Sequence, residues 1–135
     1  MFIRPSIAIV MACILSAQSL PDYPKTLKLA SGKVVRVLNI KKSTMHETDE
    51  PCLVLYYQTD IPFSNMESLN NEVEEAWNAF RPIAEKEGVK AAVVNANEPA
   101  TGIIPTSRGA GWAWKLGKDH KWHRPAKGDK GLVPK

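Results

Sequence analysis

SNMESLNNEVEEAWNAFRPIAEKEG, residues 64–88, is the stretch that decides the fold. Met66, Leu69, Val73, Ala76, Trp77, Phe80, Ile83 and Ala84 recur every three or four positions, which gathers them into one apolar stripe along a helix. Ser64 and Glu67 have the spacing of a capping box, in which two side chains reciprocally satisfy amides left open at a helix start. Gly88 stands where a helix ends in a residue tolerant of positive φ, and Lys86 lies near the negative end of the helix dipole. Pro82 lacks the amide that would bond back to Asn78, so a kink, or a second short helix beginning near it, is expected.

On the N-terminal side, residues 52–61 open with apolar side chains on both alternating faces. That is the pattern of a central strand covered on both sides. On the C-terminal side, residues 89–96 are again rich in strand formers. If the two strands lie parallel in one sheet, the helix is their crossover, and it should be right-handed. Further upstream, residues 25–42 read as a hairpin: Leu27 and Leu29 alternate with polar neighbours, Ser31-Gly32-Lys33 turns the chain, and Val34, Val35, Val37, Leu38 and Ile40 follow. Residues 43–51 and 98–111 read as loops. Trp112 to Leu116 and Lys121 to Arg124 form a last hairpin across residues 117–120, and residues 125–135 form a disordered basic tail. The expected fold is α+β: a mostly antiparallel sheet of about five or six strands with one long amphipathic helix packed on one face, in a single domain over residues 20–124.

The N-terminus has the order of a secretory signal. Met1-Phe2-Ile3-Arg4 is a short positive start, residues 7–15 are apolar, and Ala17 and Ser19 are the small residues before a cleavage site at Leu20. Residues 1–19 are thus expected to be removed, leaving a periplasmic or secreted protein. Val10-Met11-Ala12-Cys13 offers an alternative, a lipoprotein signal that would anchor the chain through a lipidated Cys13. Met11, and the apolar run continuing through Ile14 and Leu15, count against it. After residue 20 no stretch is apolar for long enough to cross a bilayer. Loss of Cys13 with the signal would leave Cys52 without a partner, so no intramolecular disulfide is expected and Cys52 reads as a small buried hydrophobe.

The formal charge is +4, and without Arg4 the chain keeps 17 basic and 14 acidic residues. That balance is too modest to point to nucleic acid. Its distribution is uneven: residues 64–88 carry six acidic and two basic side chains, while residues 106–135 carry eight basic and two acidic ones. A polyanionic partner would meet the C-terminal end.

No catalytic pattern assembles in the sequence. His46-Glu47-Thr48-Asp49-Glu50-Pro51-Cys52 gathers several ligand types, but in a loop with nothing to hold them convergent, and His120 and His123 have a spacing that splits them across a strand. No metal or cofactor is expected. Gly109-Ala110-Gly111 begins like a dinucleotide fingerprint, yet Trp114 holds the third glycine position and a strand should follow rather than a helix. Glu74 and Glu75 point about 100° apart on the helix and read as a wet face. Asp60 reads as a capping or turn group at the end of the central strand. A small secreted hydrolase using His46, Asp60 or His123 is the enzyme alternative.

The candidate binding residues are Trp112, Trp114, Lys115, Lys118, Lys121, Trp122 and Arg124, with His123 beside them. Aromatic faces interleaved with cations can stack on planar or sugar rings and pair with anions. The competing reading is packing: Trp112 and Trp114 share a strand face, where they would cover the helix and its Trp77, and the lysines would be a solvated edge that discourages strand pairing.

Tyr56-Tyr57-Gln58-Thr59-Asp60-Ile61-Pro62, followed by Glu72, Trp77 and Phe80 and then by Gly88-Val89-Lys90-Ala91-Ala92-Val93-Val94, resembles short exported bacterial proteins of uncharacterised function. The resemblance spans under half of the mature chain. It implies an exported α+β protein and transfers no catalytic residue. The functional expectation is an exported, non-catalytic binding protein that engages another protein or an anionic envelope polymer.

Overall fold

The computed structural model describes residues 19–45, 48–99 and 109–124. The expected signal segment before Ser19, Cys13 within it, His46 and the expected tail from Pro125 lie outside the described residues. Six strands and one helix follow in the order β1 (Thr26–Lys28), β2 (Val34–Thr44), β3 (Pro51–Gln58), α1 (Met66–Glu87), β4 (Ala91–Asn97), β5 (Gly109–Leu116) and β6 (Trp122–His123). They form one six-stranded sheet in sequence order, antiparallel at every pairing except the parallel β3–β4 pair. A parallel pair needs a long crossover, and α1 supplies it. The architecture is the expected α+β one, with a single long helix against a mostly antiparallel sheet.

Local chemistry accounts for each element. The first hairpin turns at Gly32, whose φ of +94° suits glycine, and its loop is closed by the Leu29 amide donating to the Lys33 carbonyl. In β2, Val35, Val37 and Ile40 all face the core although they do not keep strict alternation. The pairing register shifts between Val37 and Asn39, so Leu38 is an extra, exposed residue that restores Ile40 to the buried side. In β3 the run from Cys52 to Leu55 is buried on both faces, as its continuous apolarity predicts. Leu53, Leu55 and Tyr57 meet the helix side, while Cys52 and Val54 join Met45, Ala91 and Val93 in a second cluster.

The helix stripe materialises as Leu69, Val73, Ala76, Trp77, Phe80 and Ala84, all buried against the sheet. Each fully buried large apolar side chain of this kind contributes about 1.5–3 kcal/mol. The helix ends as expected in a left-handed Gly88, with φ of +75° and its amide donating to the Glu85 carbonyl. Its start differs from the expected capping box. A turn in which the Asn65 amide donates to the Pro62 carbonyl delays the helix by one residue, and Asn65 is the cap, its Oδ1 accepting from the Ser68 amide. Nor does Pro82 divide the helix, which runs unbroken from Met66 to Glu87. Pro82 and Asn78 are both exposed, so the carbonyl freed by the missing amide is on the water side.

The third difference is β5. Gly109-Ala110-Gly111, read as loop from its glycines, belongs to the strand and pairs with Asn95, Ala96 and Asn97. Gly109 is there for space: a Cβ on it would stand 2.6 Å from Asn97 Oδ1 and 2.8 Å from Asn95 Oδ1, whereas one on Gly111 would meet nothing closer than 3.6 Å. Asn97 is not free to swing aside, because its Nδ2 donates to the carbonyls of Tyr57 and Asn95. Gly109→Ala is therefore expected to destabilise the protein by about 1–3 kcal/mol, the usual range for overpacking. Gly32→Asn, at an open left-handed turn with nothing within 4 Å of a new Cβ, should cost much less; urea unfolding of the two variants checks the contrast.

Candidate functional site

A groove of about 490 Å³ runs between α1 and the β5–β6 hairpin. Its helix wall is Glu74, Trp77, Asn78, Arg81 and Glu85, residues three or four apart or two turns on, which face the same way. The hairpin wall is Trp114, His120, Lys121, Trp122 and Arg124. The hairpin is fixed by a tight turn in which the Gly117 amide donates to the Lys121 carbonyl and the His120 amide to the Gly117 carbonyl, with His120 at φ of +63°. Asp119 Oδ1 accepts from the Lys121 amide, and His123 Nε2 lies 2.9 Å from Asp119 Oδ2. These bonds, first the Lys121 amide and then His123, hold the Asp119 carboxyl below its ordinary range.

Three indoles build the floor. Trp77 and Trp114 stack with centroids 4.6 Å apart and planes 9° from parallel, and Trp122 meets Trp77 edge-on at 5.1 Å. Trp77 and Trp114 are almost wholly buried, whereas Trp122 keeps part of its surface in the groove. The indole N–H groups find partners on the helix: Trp122 Nε1 donates to Glu85 Oε2 at 3.1 Å and Trp112 Nε1 to Asn70 Oδ1 at 2.9 Å. Arg124 lies 5.1 Å from the Trp114 ring and donates to Glu74 Oε2 at 3.4 Å. Part of the acidic-helix and basic-hairpin asymmetry is thus consumed in holding the two together.

The expected binding residues divide. Trp114, Lys121, Trp122 and Arg124 come together in the groove. Trp112 packs against the core beside it, Lys118 is exposed on the turn, and Lys115 points to the opposite face of the sheet, 3.5 Å from Glu50. Arg81, Asn78, Glu74 and Glu85 complete the groove and were not among the sequence candidates. Glu74 has the sequence of a wet helix face, and its seven-residue spacing to Arg81 around Trp77 sets both on the groove.

A separate polar centre sits past the carboxyl end of β3. Glu72 is buried, and its Oε1 accepts from Tyr57 Oη at 2.9 Å and Thr59 Oγ1 at 2.6 Å. Its Oε2 accepts from Lys33 Nζ, which also donates to the exposed Asp60 at 2.6 Å. The Ser31 amide donates to Glu75 Oε1 at 2.9 Å. The tip of the first hairpin is in this way tied to the helix. Asp60 here is an ion-pair partner at the strand end. Burial works to lower the Lys33 pKa, but hydrogen bonds from it to Asp60 and Glu72 prevail and hold it above its ordinary value; the same bond keeps Asp60 below its own. Burial, with Glu72 adding to it, raises Tyr57 far above the phenol range, so it stays a neutral donor.

Among the described residues, the Asp60 and His123 of the enzyme alternative stand far apart, and His46 lies outside them. His123 pairs with Lys115, which is level with Ala91 at the start of β4, whereas Asp60 lies past Gln58, level with Asn97 at its end. Three strand spacings and six residues of strand separate the two, about 14 Å across and 20 Å along the sheet. Among the described residues no three His, Cys, Asp or Glu side chains converge as metal ligands, and no helix is long and apolar enough to cross a membrane. No family model matches this chain, and no curated protein or solved structure matches it either.

The polar centre makes a prediction about pH. Asp60 has a depressed folded-state pKa, so its contribution is complete above the unfolded carboxylate range and fades as pH falls through the folded value. Lys33, with a raised one, contributes fully below its ordinary 10.5 and loses that contribution above it. Asp60→Asn should leave stability at neutral pH slightly lower and flatten its fall in acid. Glu72→Ala, which strands buried hydroxyls and a partly buried ammonium, should cost about 2–3 kcal/mol at neutral pH, read by urea unfolding.

Proposed function

We propose that this is an exported, non-catalytic binding protein that holds an anionic envelope polymer in the groove between α1 and the β5–β6 hairpin. The observation that carries the reading is the lining itself. Arg124 is paired with Glu74, which leaves Arg81 and Lys121, with His120 beside them, against the one carboxylate Glu85, whose Oε2 accepts from the neutral Trp122 indole. The unspent charge is positive, and it lies over a partly open indole. A chain of anionic sugars or phosphodiesters offers the complement, flat apolar ring faces for Trp122 and negative groups for Lys121 and Arg81. The rigid floor favours binding, because the stacked indoles are already ordered and little freedom is lost when a ligand settles.

Support for export comes from the N-terminal order of positive, apolar and small residues ending at Ser19. The same reading places the mature start at Leu20, whose side chain is buried and whose nitrogen, the terminal ammonium after cleavage, lies 2.8 Å from the Ile40 carbonyl to which it donates. The intact mass of protein recovered from outside the cytoplasm decides between a Leu20 start and a lipidated Cys13. A chain retaining Met1 in the cytoplasm would remove the compartment from the proposal.

For the groove, polygalacturonate and polyglycerol phosphate are the probes, titrated calorimetrically at low salt. Lys121→Gln with Arg81→Gln should weaken binding about tenfold or more, the loss of two charge-assisted contacts. Lys118→Gln, outside the groove, should change it little, and affinity should fall with added salt. Equal binding by the groove variant and the wild type, or no binding of either polymer, would remove the groove from the account.

A further inference from the structure

The two edges of the sheet are finished differently. On the first, β1 covers only Val34 to Arg36 of the longer β2, and the chain guards much of the remainder. The Val37 amide donates to the Lys25 carbonyl, the Leu20 nitrogen to the Ile40 carbonyl, and Ser19 bridges Lys41. The bulge at Leu38 breaks the line of β2, and Pro21, Pro24, Lys25 and Lys28 lie in the chain that runs along it. Bulges, prolines and lysines are the usual devices that keep a strand edge from pairing with another chain.

The last edge has none of these devices. β6 pairs with Lys115 and Leu116 alone, so among the described residues β5 has no outer neighbour from Gly109 to Ala113. The register tells which groups are open. The Leu116 amide donates to the Lys90 carbonyl on the β4 side and the Gly117 amide to the Lys121 carbonyl on the hairpin side. Along β5 the even-numbered residues therefore bond inward and the odd-numbered ones outward. Gly109, Gly111 and Ala113 each turn an N–H and a C=O away from the sheet. From Gly109 to Trp114 there is no charged residue, no proline and no shift of register. Pro125, next in sequence after Arg124, has no amide to give.

We infer that this edge joins a second copy of the chain, β5 against β5 in antiparallel pairing about a two-fold axis at Gly111. The pairing is self-complementary. Gly111 meets its own copy, Gly109 meets the partner's Ala113, and each outward amide finds an outward carbonyl. On the sheet face away from α1 the paired side chains are hydrogen or methyl, so nothing keeps the two backbones apart. On the α1 face Trp112, which is only partly buried, lies opposite the partner's Ala110, a large side chain against a small one. No like charges meet between Gly109 and Ala113. The axis stands perpendicular to the sheet, so both helices and both grooves lie on one face of a sheet continuous through the two copies. The pairing does not depend on what the groove holds.

Sedimentation equilibrium of the protein as the cell produces it, with amide hydrogen exchange beside it, tests the pairing. A reversible dimer is expected to form below about 1 mM, and the amides of Gly109, Gly111 and Ala113 should exchange more slowly as it forms. Gly111→Pro removes the amide at the axis, and proline is tolerated on a strand edge where the amide faces outward. Gly111→Lys, whose Cβ meets nothing closer than 3.6 Å, sets two ammonium groups side by side across the axis. Each should weaken dimerisation about tenfold or more. A monomer at every concentration up to about 1 mM overturns the proposal. So does a dimer in which those three amides exchange as fast as in dilute protein, or one that both variants leave unchanged. The exchange is measured on wild-type protein, so the result stands even where a variant folds poorly.

Discussion

The parallel pairing of β3 with β4 is the constraint on which the rest of the structure depends. Two parallel neighbours cannot be joined by a turn; the chain must leave the sheet, cross it and return. The 22 residues of α1 make that crossing, and they do so with a stripe apolar enough to bury itself on the way. Everything outside the unit then pairs antiparallel, the first hairpin on the β3 side and the last hairpin on the β4 side. The helix consequently has two flanks, one looking toward each hairpin, and each flank is held by a different chemistry.

Toward the first hairpin the holding is ionic. Glu72 reaches Tyr57, Thr59 and Lys33, so a buried carboxylate is surrounded by donors from β3, the residue just past its end and the first hairpin's turn. Toward the last hairpin it is aromatic, with Trp77 between Trp114 and Trp122. The contrast has a functional consequence. On the Glu72 side nearly every polar atom is committed to a partner within the protein. On the Trp77 side the indoles pack by their faces and leave a half-open ring and several cations along a groove. A surface with uncommitted charge above a rigid apolar floor is suited to binding, whereas a saturated ionic cluster is suited to holding elements in place.

Gly109 and Gly111 carry a lesson about reading sequences. Glycines clustered near prolines and serines ordinarily mark a loop, and the same composition here is the start of a strand. Strand residues are called from the side chains they pack, so a strand chosen for the absence of a side chain has no such signature. At Gly109 the cause is the pair of asparagines across the β4–β5 ladder, which occupy the space a Cβ would need. The same holds for Asn65 against Ser64. Both are good helix caps, and only the turn at Pro62 decides which one is placed to do it.

Much of the architecture could be read from residue order, because helix and strand periodicities are local. The stripe from Leu69 to Ala84, the continuous apolar run opening β3, the left-handed glycines at 32 and 88 and the two hairpins each follow from side chains within a few positions of one another. The candidate site was half legible for the same reason. Trp114, Lys121, Trp122 and Arg124 lie close together in the chain, so their mixture of rings and cations stood out. Their opposite wall did not, since Glu74, Arg81 and Glu85 look like an ordinary wet helix face until the hairpin is laid beside them. Nor could sequence separate Lys115 from its neighbours; one step along a strand sends a side chain to the other face, and it finds Glu50 there. Residue order therefore determined which elements form and which way their apolar faces point. Tertiary structure alone decided which polar residues meet, because contacts such as Lys33 with Glu72 and Arg124 with Glu74 join positions 39 and 50 residues apart, a distance over which no local preference acts.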